Sequence, residues 1–268
     1  AGPACTPAFR RFPDAAERAA WFTLDSIDDP NGVVIGNVVR VSRGGRGPVT
    51  ALELPPEAWA DGPYDEGALV GSDDGLTSTL RFLAPRGCGR TILTTSDTII
   101  WRATISPDGR TLFTVRLARG TREPRGVWMA PLDDPAQERQ LLGPVPLDDR
   151  FGVTWGTSLR WSAEGDRLVV QSCTPLGCRF QIVDPASGRE VFIDDDRLGE
   201  SIGLVGDRLY LYGDCPDFRP CGLFERSLTT GAMREVHPAV YDAWLLPLAG
   251  RALLAVTDWD GEHERVNV

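Results

Sequence analysis

Cysteine spacing is the feature of this sequence that most directly predicts a chemical bond. Among the six cysteines, Cys173 and Cys178 enclose Thr-Pro-Leu-Gly, and Cys215 and Cys221 enclose Pro-Asp-Phe-Arg-Pro. Each pair follows a predicted strand, so a bond within the pair would close the neck of a hairpin. We therefore predict two short disulfides, Cys173 with Cys178 and Cys215 with Cys221.

The two remaining cysteines, Cys5 and Cys88, are then expected to pair over a long range and to tie the N-terminal segment to a later strand. The alternative for these cysteines is a zinc site. Only His237 and His263 could add nitrogen ligands, and neither short cysteine spacing is that of a zinc knuckle. Three disulfides indicate an oxidising compartment, so we expect the protein to be extracytoplasmic: secreted, periplasmic or at the cell surface.

A run of carboxylates near the C-terminus could offer oxygen ligands to a metal ion. Asp258, Asp260 and Glu262 lie in the sequence Asp-Trp-Asp-Gly-Glu, and Ca²⁺ takes six to eight oxygens. The same segment predicts an Asp-Gly hairpin turn. We expect no metal and no other cofactor, with calcium at these three carboxylates as the alternative.

Residues for nucleophilic catalysis are not singled out by the sequence. A serine hydrolase of the elbow type would need Gly-x-Ser-x-Gly, which does not occur, and the chain offers two histidines. His237 falls in a predicted edge strand and His263 in a polar hairpin loop, so both are expected at the surface. We expect the domain to be non-catalytic on its own.

A repeated phrase sets the architecture: a β-run, a glycine turn, a basic residue and a second β-run. The last two intervals between the basic residues are about forty residues, and the first is stretched by an insertion. A repeat of that length with two to four short strands is typical of a β-propeller. The basic residues are Arg110, Arg167, Arg208 and Arg251, and we expect them at equivalent places at the start of a strand.

The turn residues divide each repeat into strands A, B, C and D, with D polar and at the outer edge. Six candidate C strands predict six blades of four antiparallel strands in a single domain, 1–268. The last blade lacks a D strand, so residues 1–20 are expected to close the propeller or to tie it. The C strands are predicted at 37–42, 79–83, 126–130, 179–183, 223–227 and 264–268.

The turn Ser106-Pro-Asp-Gly-Arg110 resembles the WD40-like (PD40) repeat of the TolB-type propeller family, and degenerate forms follow at 162–165 and 205–208. The resemblance covers 101–256. It implies a propeller in a bacterial envelope or secreted setting, either a protein-binding module or one part of a larger enzyme.

Aromatic residues near the predicted B to C and D to A connections are the candidate contact residues. These connections share one side of a propeller, and aromatic side chains bring large contact area with few rotatable bonds. We expect a binding surface there for a protein, a peptide or an envelope glycan. Its predicted residues are Trp101, Arg102, Trp155, Tyr241, Asp242, Trp244 and Trp259.

Charge and composition restrict the partners. A net charge of −10 repels nucleic acid. The mean hydropathy is −0.17, and the sequence contains no apolar run long enough to span a membrane. Because the chain begins at Ala1, we expect an upstream signal or membrane tether, and we expect a monomer. Two alternatives stay open: a propeller hydrolase or lyase with acidic residues at a central pore, and the sensor domain of a membrane protein.

Overall fold

The computed structural model describes most of the chain after residue 20, and almost all of the described residues lie in β-strands or tight turns. The chain divides into two compact units, Ala1–Val145 and Pro146–Val268. No described helix is both long and apolar enough to cross a membrane. The described ranges are 21–28, 34–42, 50–54, 58–64, 67–84, 88–144, 156–174, 177–194, 198–213, 221–240, 242–248, 251–259 and 264–267.

The first unit contains three antiparallel sheets in its described residues, each formed by strands that follow one another in the chain. A short 3-10 helix, Pro135–Gln137, precedes the last strand. Sheet 1 contains β1 (Trp21–Asp28), β2 (Val34–Ser42) and β3 (Thr50–Leu54); sheet 2 contains β4 (Trp59–Tyr64), β5 (Gly67–Asp73), β6 (Ser78–Ala84) and β7 (Cys88–Thr95); sheet 3 contains β8 (Thr98–Ile105), β9 (Thr111–Ala118), β10 (Pro124–Pro131) and β11 (Arg139–Leu142).

The described part of the second unit repeats the same plan in three further antiparallel sheets. Sheet 4 contains β12 (Gly156–Trp161), β13 (Leu168–Thr174), β14 (Gly177–Val183) and β15 (Glu190–Asp194); sheet 5 contains β16 (Leu198–Val205), β17 (Arg208–Gly213), β18 (Cys221–Ser227) and β19 (Met233–Val240); sheet 6 contains β20 (Asp242–Leu248), β21 (Arg251–Trp259) and β22 (Glu264–Asn267).

These sheets confirm the all-β prediction and the parsing of the repeat into strands A to D. The predicted C strands coincide with β2, β6, β10, β14, β18 and β22. Sheets 2 to 5 have the predicted four strands, and the described part of sheet 6 has three, with no D strand among them. Closure into one ring of six blades and a single domain over 1–268 stay predictions. The predicted closing segment, residues 1–20, lies outside the described residues.

The motif turn in sheet 3 is held by its serine. Ser106 Oγ accepts a hydrogen bond from the Thr111 N–H (2.9 Å) and donates one to the Asp108 carboxylate. The Gly109 N–H returns to the Ser106 carbonyl (2.8 Å), and Gly109 has φ +73°, a conformation that favours glycine. The Ser-Pro-Asp-Gly motif is therefore a structural turn in which the serine, the aspartate and the glycine each have a local bonding or steric reason.

The four repeated arginines lie within one residue of the start of strand B, but their register differs. In sheet 4 the Arg167 N–H bonds to Ser162 Oγ (3.1 Å), which is the place that Thr111 takes in sheet 3. Sheet 5 replaces the long turn with a two-residue turn, 206–207, and its strand B begins at Arg208. The prediction that all four arginines lie at the start of strand B in successive sheets is confirmed. The turns of sheets 3 and 4 have the same length, but Arg110 follows the turn serine by four residues and Arg167 by five.

The order of strands gives each four-stranded sheet two opposite ends. In sheet 3 one end carries the connection 119–123 between β9 and β10, and the first residue of β8 lies beside it. We call this end the B–C edge. The other end carries the motif turn, 106–110, and the connection 132–138 between β10 and β11. We call it the A–B edge.

Apolar residues on the facing sides of consecutive sheets form the core within each unit. In the first unit, Leu69, Leu80 and Phe82 of sheet 2 pack with Ile100 and Ile105 of sheet 3, and all five are buried. Sheets 4 and 5 of the second unit pack in the same way through their own cluster. Since each buried large apolar side chain contributes about 1.5–3 kcal/mol, this packing fixes the spacing of neighbouring sheets.

Polar side chains connect consecutive sheets through backbone groups of the edge strands. Ser78 Oγ accepts the Ile100 N–H (2.9 Å), and the Tyr64 hydroxyl accepts the Ile105 N–H (3.0 Å). The second unit does the same at Gln171, whose Oε1 accepts the Ser201 N–H (2.9 Å). In sheets 5 and 6, the Tyr212 hydroxyl accepts the Ala243 N–H (2.8 Å).

One predicted disulfide is described completely. Cys173 and Cys178 are bonded, with a Cα–Cα distance of 4.1 Å, and they face each other across β13 and β14. Cys221 is also disulfide-bonded, while its predicted partner Cys215 lies outside the described residues. Disulfide bonding at these three positions overturns the zinc alternative for them.

Replacing Ser78 with alanine should destabilise the first unit. The Ile100 N–H would lose its acceptor in a buried position, where an unpaired donor costs about 1–3 kcal/mol. We expect the free energy of unfolding, measured with denaturant, to fall by that amount. Ser96→Ala is the control, because Ser96 is exposed, and it should change stability by less than about 0.5 kcal/mol. Equal effects of the two variants would contradict this role of Ser78.

Removing the described disulfide should cost about 2 kcal/mol, because its sequence separation is 5 and a short closed loop restricts the unfolded chain only modestly. The test is denaturant unfolding of the Cys173→Ala/Cys178→Ala double variant against the parent, both under oxidising conditions. A loss well above this value would show that the bond acts mainly on the folded state.

Candidate functional site

Trp101 and Arg102, two of the predicted contact residues, lie next to each other in a β-bulge. In the ladder between β8 and β9, Ile100 pairs with Arg116 and Arg102 pairs with Val115, so Trp101 is the extra residue. A bulge interrupts the alternation of side chains and re-aims them. It allows the Arg102 guanidinium to lie over the Trp101 ring, 5.1 Å from its centre.

Trp59 joins this pair and was missed by the sequence analysis. Its ring centre lies 5.8 Å from the Arg102 guanidinium carbon, and its Nε1 donates to the Ile100 carbonyl (3.2 Å). The indole lies where a side chain on Gly71, its partner on β5, would have to be. A tryptophan directly opposite a glycine was the signal available in the sequence, but the register that pairs them was not known.

Burial lowers the pKa of Arg102, and the nearby Asp61 carboxylate partly offsets that shift. Asp61 accepts a hydrogen bond from the Tyr64 hydroxyl, which also lies 3.1 Å from Thr104 Oγ1 and accepts the Ile105 N–H. The polar groups of this cluster therefore bond to one another and to the backbone. This bonding is that of a structural network beside Arg102, whose own Nη1 donates to the Trp101 carbonyl (2.8 Å).

The other predicted contact residues lie in the second unit or outside the described residues. Asp242 begins β20, Trp244 lies two residues further on, and Trp259 ends β21, so all three positions are near the B–C edge of sheet 6. Trp155 and Tyr241 lie outside the described residues. The role of these residues in binding stays a prediction.

Of the three carboxylates predicted as alternative calcium ligands, Asp258 is described and lies in β21. Asp260 and Glu262 lie outside the described residues. Within the described ranges no group of three or more histidine, cysteine or acidic side chains could hold a metal ion.

A single arginine, also missed by the sequence analysis, holds three loops together at the B–C edge of the first unit. Arg119 Nη1 and Nη2 donate to the two carboxylate oxygens of Asp73 (3.1 and 2.8 Å). Its Nε donates to the Ser96 carbonyl (2.9 Å), and Nη2 also reaches the Thr98 carbonyl (3.3 Å). Arg119 therefore ties the 119–123 connection to the turn after β5 and to the link between β7 and β8.

The turn after β5 is also fixed by its own carboxylates. Asp73 Oδ1 accepts the Gly75 N–H (2.8 Å), and Asp74 Oδ1 accepts the N–H groups of Leu76 and Thr77 (2.9 and 2.6 Å). The Arg119 hydrogen bonds lower the pKa of Asp73, and backbone hydrogen bonds lower that of Asp74. Both groups are therefore carboxylates at neutral pH, which keeps the turn bonded.

Leu76 stands at the tip of this turn with 78% of its surface exposed. Arg122, on the neighbouring connection, is exposed and has φ +60°, and its N–H bonds to the Ala118 carbonyl (2.9 Å). We call the surface formed by residues 73–77, 96–98 and 119–123 the Leu76 rim. It presents an apolar side chain on connections whose backbone is held by hydrogen bonds.

Comparison of the structure with solved proteins places the fold among the β-propellers. TolB from Acinetobacter baumannii is 14% identical with a TM-score of 0.54, over 92% of this chain and 64% of that protein. A putative TolB from Agrobacterium tumefaciens is 15% identical with a TM-score of 0.55, over 82% and 79%. Oligopeptidase B from Trypanosoma brucei is 11% identical with a TM-score of 0.52, over 92% and 38%.

These likenesses show the fold and confirm the prediction of a TolB-like β-propeller. The chain spans less than two thirds of the length of the Acinetobacter TolB. No protein-family model and no curated protein sequence matches the chain.

Breaking the Asp73–Arg119 ion pair should loosen the 119–123 connection. In Asp73→Asn we expect faster amide hydrogen exchange at Arg122, because Arg119 loses the negative charge and one of the two acceptor oxygens of its partner. Asp74→Asn is the matched control: it should speed exchange at Leu76 and Thr77 and leave Arg122 unchanged. Faster exchange at Arg122 in both variants would contradict the specific role of Asp73.

Acid should have the same effect as Asp73→Asn. Because folding lowers the Asp73 pKa from its usual 3.8, the ion pair contributes fully above that pH. The contribution is lost as pH falls through the lower folded-state value. Exchange at Arg122, corrected for its intrinsic pH dependence, should therefore rise below pH 3.8 in the parent protein and be flat in Asp73→Asn.

Proposed function

We propose that this chain is a non-catalytic binding module of an extracytoplasmic protein, and that it contacts a protein or peptide partner through the B–C edge of its sheets. The observation that carries the proposal is the Leu76 rim. An exposed leucine on a flexible loop would be an ordinary surface residue, but here the surrounding backbone is held by Arg119 and by two carboxylates.

Preorganisation is the physical argument for binding at this edge. A loop that orders only on association loses conformational entropy, and this loss reduces the affinity. The three connections of the Leu76 rim are already bonded in the free protein, so that cost is small. The apolar tip also favours a partner that buries an apolar group, as a protein or peptide does, over an envelope glycan.

Trp101 and Arg102, in the middle of β8, support a second contact surface on the same unit. Both residues are half-buried, so part of each stays accessible. Aromatic and arginine side chains are enriched among residues that dominate binding energy. We propose that they form a second contact point on the partner.

The extracytoplasmic location is supported by the disulfides. Cys173–Cys178 and the bonded Cys221 require oxidising conditions, which the cytoplasm does not usually supply. Thiol titration of protein extracted under alkylating conditions would test this location, and alkylated Cys173 or Cys178 would contradict it.

Replacing Leu76 with aspartate should weaken partner binding. The probe is a peptide selected from a random library on the immobilised full-length chain. We expect its dissociation constant, measured by fluorescence anisotropy, to rise at least tenfold in Leu76→Asp. Because Leu76 is 78% exposed, the variant should keep the parent's unfolding midpoint.

Phe192→Asp is the matched control, since Phe192 is an exposed apolar residue on the outer strand β15. It should leave peptide affinity unchanged. Selected peptides that bind Leu76→Asp as well as the parent, or that lose affinity only in Phe192→Asp, would overturn the assignment of the Leu76 rim. Selective binding of envelope glycan fragments by the parent, with no peptide selected, would overturn the preference for a peptide partner.

A further inference from the structure

A cleft of about 800 Å³ opens at the A–B edge of the first unit, on the end of the sheets opposite the Leu76 rim. Its walls come from β7, the motif turn after β8, the end of β10 with the connection that follows it, and β11. This volume lies within the range of 300–1,000 Å³ typical of ligand sites. The cleft was not anticipated from the sequence, because its walls belong to two different sheets.

Three arginines from three elements line this cleft. Arg90 lies on β7, Arg110 ends the motif turn, and Arg139 begins β11. All three side chains are exposed, and among the described residues none of the three guanidinium groups makes a hydrogen bond or an ion pair. Other arginines of this unit are used: Arg116 pairs with Glu138, and Arg119 with Asp73.

Most of the acidic side chains around the cleft already form hydrogen bonds or ion pairs with groups other than its three arginines. Glu138 binds the buried Arg116 through both carboxylate oxygens, and Asp134 accepts a hydrogen bond from Gln137. Asp108 accepts hydrogen bonds from Ser106 and from the Arg110 backbone N–H. Asp133 is the acidic residue that lines the cleft itself, so the lining carries a net positive charge.

The remaining wall of the cleft is largely apolar. Met129 and Pro131 of β10 and the buried Leu132 lie beside the arginines. A site for a bare inorganic anion would not need this surface. An apolar wall beside exposed guanidinium groups suits a ligand that combines carboxylates with an apolar side chain.

We propose that this cleft binds an acidic peptide segment of a partner protein, in which two or more carboxylates flank an apolar side chain. Guanidinium groups bind carboxylates with two parallel hydrogen bonds, which gives orientation as well as affinity. The chain as a whole has a net charge of −10, so the cleft is a local reversal of its charge. The site is separate from the Leu76 rim and does not depend on the function proposed for it.

The experiment uses the full-length chain and a fluorescein-labelled Glu-Leu-Glu peptide, followed by fluorescence anisotropy at low and at physiological salt. We expect the peptide to bind, and we expect the same peptide with glutamine in place of glutamate to bind at least tenfold more weakly. Arg110→Gln and Arg139→Gln should each weaken binding of the acidic peptide about tenfold. Both side chains are exposed and unbonded among the described residues, so both variants should unfold at the parent's temperature.

Arg125→Gln is the matched control, because Arg125 is an exposed arginine of the same sheet at the start of β10, near the opposite edge. It should leave the affinity within twofold of the parent, and so should Leu76→Asp. Equal losses in Arg125→Gln and Arg110→Gln would show unspecific charge attraction and overturn the proposal. Complete displacement of the peptide by inorganic phosphate at equal ionic strength would also overturn it, in favour of a simple anion site.

Discussion

The arrangement of consecutive sheets depends on the backbone N–H groups of the first strand in each sheet. β8, β16 and β20 are edge strands that pair on one side, so N–H groups on the other side need a partner from elsewhere. A buried N–H without one costs about as much as a lost hydrogen bond. Ser78, Tyr64, Gln171 and Tyr212 supply that partner from the preceding sheet, and each distance lies between 2.8 and 3.0 Å.

Because these bonds hold the first strands in place, the side chains at the two ends of the sheets are free to differ in chemical type. At the B–C edge of the first unit, Arg119 pairs with the Asp73 carboxylate, and Leu76 is the apolar side chain that is exposed beside them. At the A–B edge, Asp108 accepts a backbone N–H and Glu138 pairs with Arg116. The side chains left without a bond there include the guanidinium groups that line the cleft. Two opposite ends of one pair of sheets therefore differ in the class of ligand they favour.

The sequence was sufficient for features that depend on local order. Strand positions followed from turn residues, and the Cys173–Cys178 bond followed from spacing across a hairpin. Features that join different sheets could not be read in the same way. Nothing near Trp59 indicates that it stacks on Arg102, and the positive cleft requires residues of β7 and β11 to be brought together. The one-residue difference between Arg110 and Arg167 had a third cause, because the two turns are equal in length and only their hydrogen bonds show which residue of each turn takes the same place.

Among the described residues, the hydrogen bonds that a backbone N–H donates to a side chain of a neighbouring sheet have one direction along the chain. In each case the acceptor side chain belongs to the earlier sheet and the N–H donor to the later one: Ser78 precedes Ile100, Gln171 precedes Ser201, and Tyr212 precedes Ala243. A ribosome releases the N-terminal residues first, and folding during synthesis proceeds in that order. When β8, β16 and β20 are synthesised, the side chain that accepts an N–H group from each of them has therefore already been made, and that side of the edge strand can be covered as soon as the strand reaches its neighbour.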